Sequence, residues 1–212
     1  LEMWNAVSDK DKNDSDFTGF LVQTDYQAKQ TGFIQPYADS PMDHEQVGEE
    51  VYISMVNKAE KYCWFMTPYL IITDEMSHAL CLAAKRGVDV RIITPGIPDK
   101  KMIYNITRSF YHGLVKHGVR IYEWTPGFCH AKISVADDCM ATCGTINLDY
   151  RSLYHHFENG CFMADCQAVL DIRNDLAATM DECREVTEQY STGRSAYLRL
   201  GQLFMRLFAG LL

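Results

Sequence analysis

The apolar positions of this chain recur first at the spacing of a helix, then at that of a strand, and the alternation repeats. Val47, Val51, Met55 and Ala59 return every fourth residue and predict a helix across about 44–61. Tyr62 to Thr67 is aromatic and apolar and predicts a buried strand, stopped by Pro68. Met76, Ala79, Leu80, Ala83 and Ala84 share one face of a helix over 74–86, with Gly87 as its C-terminal cap. Val88 to Thr94 reads as a strand ended by Pro95 and Gly96, about 100–117 as a helix closed by Gly118, and Val119 to Glu123 as the next strand. Strands alternating with helices imply an α/β layer structure with a mostly parallel sheet. Beyond them, strands at 129–135 and 139–144 flank the turn Asp137-Asp138 and predict an antiparallel pair within a mixed sheet. A short helix, a strand at about 158–164 and a long helix to about 188 complete the pattern.

The two ends differ in character from this middle. Residues 8–16 are almost wholly polar and charged and bury no face, so 1–32 reads as a linker or partial N-terminal segment ahead of a domain at 33–190. Residues 191–212 carry Arg194, Arg199 and Arg206, no acidic residue, and interleaved Leu198, Leu203, Phe204, Leu207, Phe208 and Leu211, a basic amphipathic segment. The chain opens on Leu1 and reads as a piece of a longer protein. No run approaches the roughly 18–20 apolar residues of a membrane-spanning helix.

Composition narrows the chemistry. With 47% hydrophobic and 23% charged residues the 212-residue chain is ordinary for a globular domain with a real core. A net charge of -8 repels a nucleic-acid backbone, while leaving room for a local basic pocket that holds one phosphate. Among the eight cysteines Cys139-x-x-x-Cys143 could suggest a metal, but no second paired Cys or His motif at zinc spacing follows; Cys63, Cys81, Cys139 and Cys161 lie in apolar runs, as reduced core thiols of a reducing compartment do.

The stretch that carries chemistry is Cys129 to Asp137, followed by Gly144-Thr145-Ile146-Asn147. Strand alternation puts His130 and Lys132 on one face and Cys129, Ala131 and Ile133 on the other. Asn147 falls just past the neighbouring strand, where it can point into the same cleft. An imidazole, an ammonium and an amide converging on one spot suit a phosphate ester: Lys and Asn stabilise nonbridging oxygens while the imidazole attacks phosphorus or moves a proton.

The ordered set His130-x-Lys132-x4-Asp137-x6-Gly144-Thr145-x-Asn147 matches the HKD signature of the phospholipase D superfamily. A chance match to the whole set is on the order of one in 10⁵ for a chain of this size, so the spacing is specific where a lone H-x-K is not. The flanks resemble bacterial cardiolipin synthases: Gln35-Pro36-Tyr37, Thr67-Pro68-Tyr69-Leu70, Arg91 to Lys101, Thr125-Pro126-Gly127-Phe128 and Asn147 to Ser152. The similarity covers roughly 33–190 and returns at the closing residues 207–212.

The resemblance implies a phospholipase D-like mixed sheet sandwiched between helices, one motif-bearing half of a pseudo-twofold pair. It implies a phosphatidyltransferase that joins two phosphatidylglycerols into cardiolipin and glycerol through a phosphohistidine, without metal or organic cofactor. It makes His130 a catalytic imidazole, Lys132 and Asn147 phosphate ligands, Thr145 a lining residue, and Glu158 the carboxylate that bonds the imidazole. Asp137 belongs to the signature, but a turn after a strand favours Asp locally, and its role is more structural than chemical. Only one H-x-K occurs; His44, His78, His112, His117, His155 and His156 have no Lys two residues on and read as surface or helix-flanking. The second motif is expected from a missing N-terminal half or a second copy, without which the chain should be inactive. The implied setting is the cytoplasmic side of a bacterial inner membrane, with phosphatidylglycerol or a related phospholipid as partner and no nucleic acid. Two alternatives stay open: a single-motif homodimeric phosphodiesterase or nuclease, and a half that mainly contributes membrane or subunit contacts.

Overall fold

A computed structural model describes residues 31–191 without a break, and before them positions 3, 7, 16, 18–20, 27 and 29. The chain divides into two compact units, Leu1–Thr31 and Gly32–Leu212. In the first, a 3-10 turn at Thr18–Phe20 is entered through Asp16, whose carboxylate accepts from the Thr18 amide at 2.9 Å and its hydroxyl at 2.6 Å. Apart from Asp16 and Ser191, the linker expected at 8–16 and the basic amphipathic segment expected at 191–212 lie outside the described residues.

The second unit is built on ten strands and six helices among the described residues. In chain order these are β1 (Phe33–Asp39), α1 (Val47–Lys58), β2 (Tyr62–Met66), β3 (Leu70–Ile71), α2 (Asp74–Lys85), β4 (Asp89–Pro95), α3 (Lys101–Val115) and β5 (Arg120–Trp124). They continue with β6 (Ile133–Ala136), β7 (Met140–Gly144), β8 (Leu148–Asp149), α4 (Tyr150–Tyr154), β9 (Glu158–Ala164), α5 (Gln167–Glu182), β10 (Arg184–Glu185) and α6 (Thr187–Ser191). Eight strands form one sheet in the order β1-β9-β7-β6-β2-β4-β5-β10, and β3 pairs with β8 apart from it.

The sheet is mixed, and less parallel than the alternation of helices and strands suggests. Only β2–β4 and β4–β5 run parallel within it; β6, β7, β9, β1 and β10 all join antiparallel. The parallel centre comes from helix crossovers through α2 and α3, and the antiparallel half from the hairpin β6–β7 and the strands that follow it. Helices cover both faces: α1, α2 and α3 pack on the larger core around Val56, Phe65, Leu80, Ile92 and Leu114, and α5 packs on a smaller one around Ile93, Val135, Ala141 and Leu176. The result is two helical layers enclosing one sheet.

Local chemistry accounts for the ends of these elements. Thr73 caps α2 by accepting from the Met76 amide at 3.0 Å, Asp74 and Glu75 occupy its positive first turn, and Gly87 ends it at φ +95°. The buried face of α1 is rotated from the one its fourfold spacing suggests: Gly48, Glu49, Tyr52, Met55 and Val56 point inward, while Val51 is half-buried. Hydrogen bonding drives the rotation. Tyr52 donates to the Ile146 carbonyl at 2.8 Å, and the buried Glu49 carboxylate accepts from the Tyr154 hydroxyl at 2.6 Å and from the Thr73 hydroxyl. Likewise the helix expected to reach about 188 stops at Glu182, because Arg184 turns to the fully buried Glu123 at 2.6 Å and Glu185 to Arg120 at 2.8 Å.

Candidate active site

The register brings His130, Lys132, Gly144 and Glu158 to one end of the sheet. Parallel strands β2, β4 and β5 finish at Met66, Pro95 and Trp124, and antiparallel β6 begins there, with Ile133 opposite Met66. The end of β7 at Gly144 and the start of β9 at Glu158 lie at the same end, since Ile133 faces Cys143 and Gly144 faces Gly160. Ligand sites of open α/β sheets form where the carboxyl ends of the parallel strands leave a crevice. His130 and Lys132 stand at this edge in the extended entry to β6, since the strand starts at Ile133 rather than at 129. The expected alternation holds nonetheless: Cys129, Ala131 and Ile133 pack into the core under α5, leaving His130 exposed and Lys132 half-buried on the opposite side.

Around His130 the arrangement is tight and cationic. Lys132 Nζ lies 2.9 Å from Nδ1 and 3.2 Å from Nε2, and donates to the His130 carbonyl at 2.7 Å. The Phe128 ring lies 5.9 Å from the imidazole centre, and the Tyr69 ring meets it edge-on at 6.4 Å. Tyr69 donates its hydroxyl to Asp99 Oδ2 at 2.6 Å. Desolvation, and then the Lys132 ammonium, push the imidazole pKa below its ordinary value, against the opposing charge of Asp99. The ammonium is likewise pushed down by desolvation, with the carboxylates of Glu158 and Asp149 acting against the shift. A neutral imidazole beside an ammonium is the protonation pattern that nucleophilic attack on an anionic phosphate requires.

Thr145 donates its hydroxyl to Glu158 and its backbone N–H to the Asn159 carbonyl at 2.8 Å, so its amide is spent on extending the β7–β9 ladder. The other oxygen of Glu158 lies 3.6 Å from His156 Nδ1. Among the described residues the hydrogen-bond partner of the His130 ring is Lys132; Glu158 acts on the pair through Lys132 rather than by a bond to the imidazole. Asn147 Nδ2 reaches Ser152 Oγ at 2.9 Å and Asp149 Oδ2 at 3.3 Å, while its buried Oδ1 has no partner. As a phosphate ligand, Asn147 has to exchange one of these bonds. Gly144 is needed for close approach: a Cβ there would lie 2.3 Å from the Asn159 carbonyl oxygen, and its N–H holds the Lys132 carbonyl at 3.2 Å.

Asp137 does not belong to this cluster. It lies past the opposite end of β6, where its carboxylate accepts from the backbone N–H groups of Glu60, Lys61 and Tyr62 at 2.7, 2.9 and 2.8 Å. Asp137 and Asp138 both have positive φ, 53° and 61°, the turn geometry that joins β6 to β7. Of the remaining histidines, His44, His78, His155 and His156 are exposed, and His112 and His117 bond backbone carbonyls at 2.8 Å. Tyr69, Asp99, Phe128 and Asp149 join the site from loops and a short strand where sequence spacing assigned no role, although all four lie in stretches that resemble cardiolipin synthases.

Comparison with known proteins gives the family and the fold. Residues 52–180 match the family described as cardiolipin synthase, PLD-like domain, and the chain belongs to that family. An uncharacterized protein of Streptococcus mutans is 46% identical over 212 residues, all of this chain and 45% of that protein. A cardiolipin synthase of Halalkalibacterium halodurans is 32% identical over 184 residues, 87% of this chain and 37% of that protein. The chain thus spans less than half the length of the curated relatives it matches. Among solved structures, the phosphatidylserine synthase of Haemophilus influenzae aligns with TM-score 0.65 at 16% identity, over 84% of this chain and 47% of that one. The phospholipase D family member Nuc of Salmonella typhimurium aligns with TM-score 0.62 at 17% identity, over 73% of this chain and 98% of that one. At these identities the two structures establish a shared fold.

Proposed function

We propose that this chain supplies one of the two HKD motifs of a phosphatidyltransferase that converts two phosphatidylglycerols into cardiolipin and glycerol. The observation that carries the reading is the exposed imidazole of His130 held against the Lys132 ammonium at the ligand-binding end of the sheet, in a member of the cardiolipin synthase family.

The chemistry follows from these groups. A histidine nitrogen attacks phosphorus, an N–P bond forms, and the P–O bond to glycerol breaks, the leaving oxygen taking a proton from the histidine of the second motif. The free hydroxyl of a second phosphatidylglycerol then gives its proton back to that histidine, attacks phosphorus and breaks the N–P bond. Lys132 and the Asn147 amide, released from its 3.3 Å contact with Asp149, stabilise the nonbridging oxygens in both steps. Glu158 and Thr145 hold the electrostatic balance around Lys132. His130 fills either the nucleophile's or the acid's place, and the facing motif comes from the rest of a longer protein or from a second copy. No cofactor enters these steps. Because the substrate and the main product are lipids, the working protein is assigned to a membrane, and the family resemblance favours the cytoplasmic side of a bacterial one; among the described residues no helix is long and apolar enough to cross one. Incubation of the intact protein carrying residues 1–212 with phosphatidylglycerol vesicles, followed by mass spectrometry, should yield cardiolipin and glycerol in equal amounts. Phosphatidic acid alone, or salt-sensitive cleavage of DNA with no lipid product, refutes the proposal.

A further inference from the structure

Beside the His130–Lys132 pair lies a cavity of about 250 Å³ that the steps above leave unused, walled by Tyr69, Ile71, Asp149, Tyr150 and the cationic side chains of Lys100 and Arg151. It shares two walls with the site. Tyr69 packs edge-on against the His130 ring at 6.4 Å, and Asp149 is one of the charges felt by Lys132. Its volume falls below the ~300–1,000 Å³ of pockets for drug-sized ligands, which suits a polar headgroup and not an acyl chain. Of its charged wall residues two, Lys100 and Arg151, are cations and one, Asp149, is a carboxylate. Asp149 accepts from the Ser152 amide at 2.8 Å and from Asn147, and Asp99 accepts from Tyr69 at 2.6 Å and from the Lys100 amide at 2.6 Å.

We propose that this cavity is the acceptor's headgroup site, in which Lys100 and Arg151 hold the phosphodiester of the incoming phospholipid. The inference rests on the phosphatidyltransferase reading and specifies its substrate. The donor's phosphorus must sit at His130 and Lys132, so a second phosphate has to be accommodated one glycerol away. Tyr69, which packs against the imidazole, and the two cations line the same cavity. With its phosphate at Lys100 and Arg151, the acceptor's terminal hydroxyl points back towards the histidine-bound phosphorus. The fork of Arg151 suits two phosphate oxygens and Lys100 adds a point charge, while Tyr150 and Asp149 offer partners to the glycerol hydroxyls. In the second step the hydroxyl oxygen bonds phosphorus, the N–P bond breaks, and the proton passes to the facing histidine. An acceptor without a phosphate gains nothing from the two cations.

The test sets two acceptors in competition for one intermediate. The intact protein carrying residues 1–212 receives phosphatidylglycerol vesicles together with ethanol, and the ratio of cardiolipin to phosphatidylethanol is measured by mass spectrometry. This ratio is independent of how much enzyme is folded. The double variant Lys100→Ala/Arg151→Ala should lower it at least tenfold, and Lys100→Arg/Arg151→Lys should recover most of it. A ratio within twofold of wild type in the alanine variant overturns the headgroup site, as does wild-type protein that makes phosphatidylethanol but no cardiolipin. Wild-type protein that makes neither product overturns the phosphatidyltransferase reading itself.

Discussion

At one end of β6, His130 is exposed and its ring touches a half-buried ammonium; at the other, the Asp137 carboxylate is bound to the Glu60, Lys61 and Tyr62 backbone amides. Both belong to one signature of fixed spacing, yet on the proposed reading the first set meets a ligand while the second fastens the β6–β7 turn to the start of β2. The spacing is therefore the length of a strand that joins a reactive end to an anchored one. Residues at the reactive end should govern turnover with little effect on stability, and residues at the anchored end the reverse.

The largest effect that tests this contrast is on turnover. Lys132→Ala should lower cardiolipin formation about 10³-fold, the usual cost of removing a charge that stabilises a transition state, with little change in thermal midpoint. Steady-state assay and calorimetry on the same sample check both halves. Next is Gly144→Ala, at the seam between the two sets, where the added Cβ would meet backbone of Asn159 at 2.3 Å and of Gly160 at 2.6 Å. Because backbone cannot rotate aside as a side chain can, urea denaturation should show a loss of about 2–4 kcal/mol.

At the anchored end, Asp137→Ala should cost about 2–3 kcal/mol in the same measurement, since it removes the acceptor of three backbone amides and puts Ala at φ 53°. Asp137→Asn, which keeps an acceptor and tolerates positive φ, should cost less than half of that. Turnover per folded molecule should stay near wild type in both. The smallest effect is a titration. The imidazole of His130 should protonate below its ordinary range, by NMR, because desolvation and Lys132 both disfavour the cation. Lys132→Gln removes a repelling charge and should move the midpoint up. Asp99→Asn removes an attracting one and should move it down.

Much of the frame was legible from the sequence because α2, β4, α3, β5 and β9 carry strong periodicity or sharp stops at Gly and Pro. The strand β1 was not, since Phe33–Asp39 is mostly exposed and holds Pro36, which an edge strand tolerates. The two-residue strands β3, β8 and β10 are too short to show any period. The inward face of α1 does not follow its apolar spacing alone, because Glu49 and Tyr52 also turn inward and hydrogen-bond there. At the site, His130 and Lys132 were legible because alternation extends past the strand's formal start. The hydrogen bonds of Asn147 and Glu158, and the packing of Tyr69 and Phe128 on the imidazole, depend on loops brought together only by the sheet register, which no local spacing encodes.

His130 carries the proposed chemistry, and its substitution is the direct test. In the intact protein carrying residues 1–212, His130→Ala should reduce cardiolipin formation from phosphatidylglycerol by at least about 10³-fold while circular dichroism and thermal midpoint match wild type. Wild-type-like turnover in that variant contradicts the assignment of this end of the sheet as a catalytic half-site.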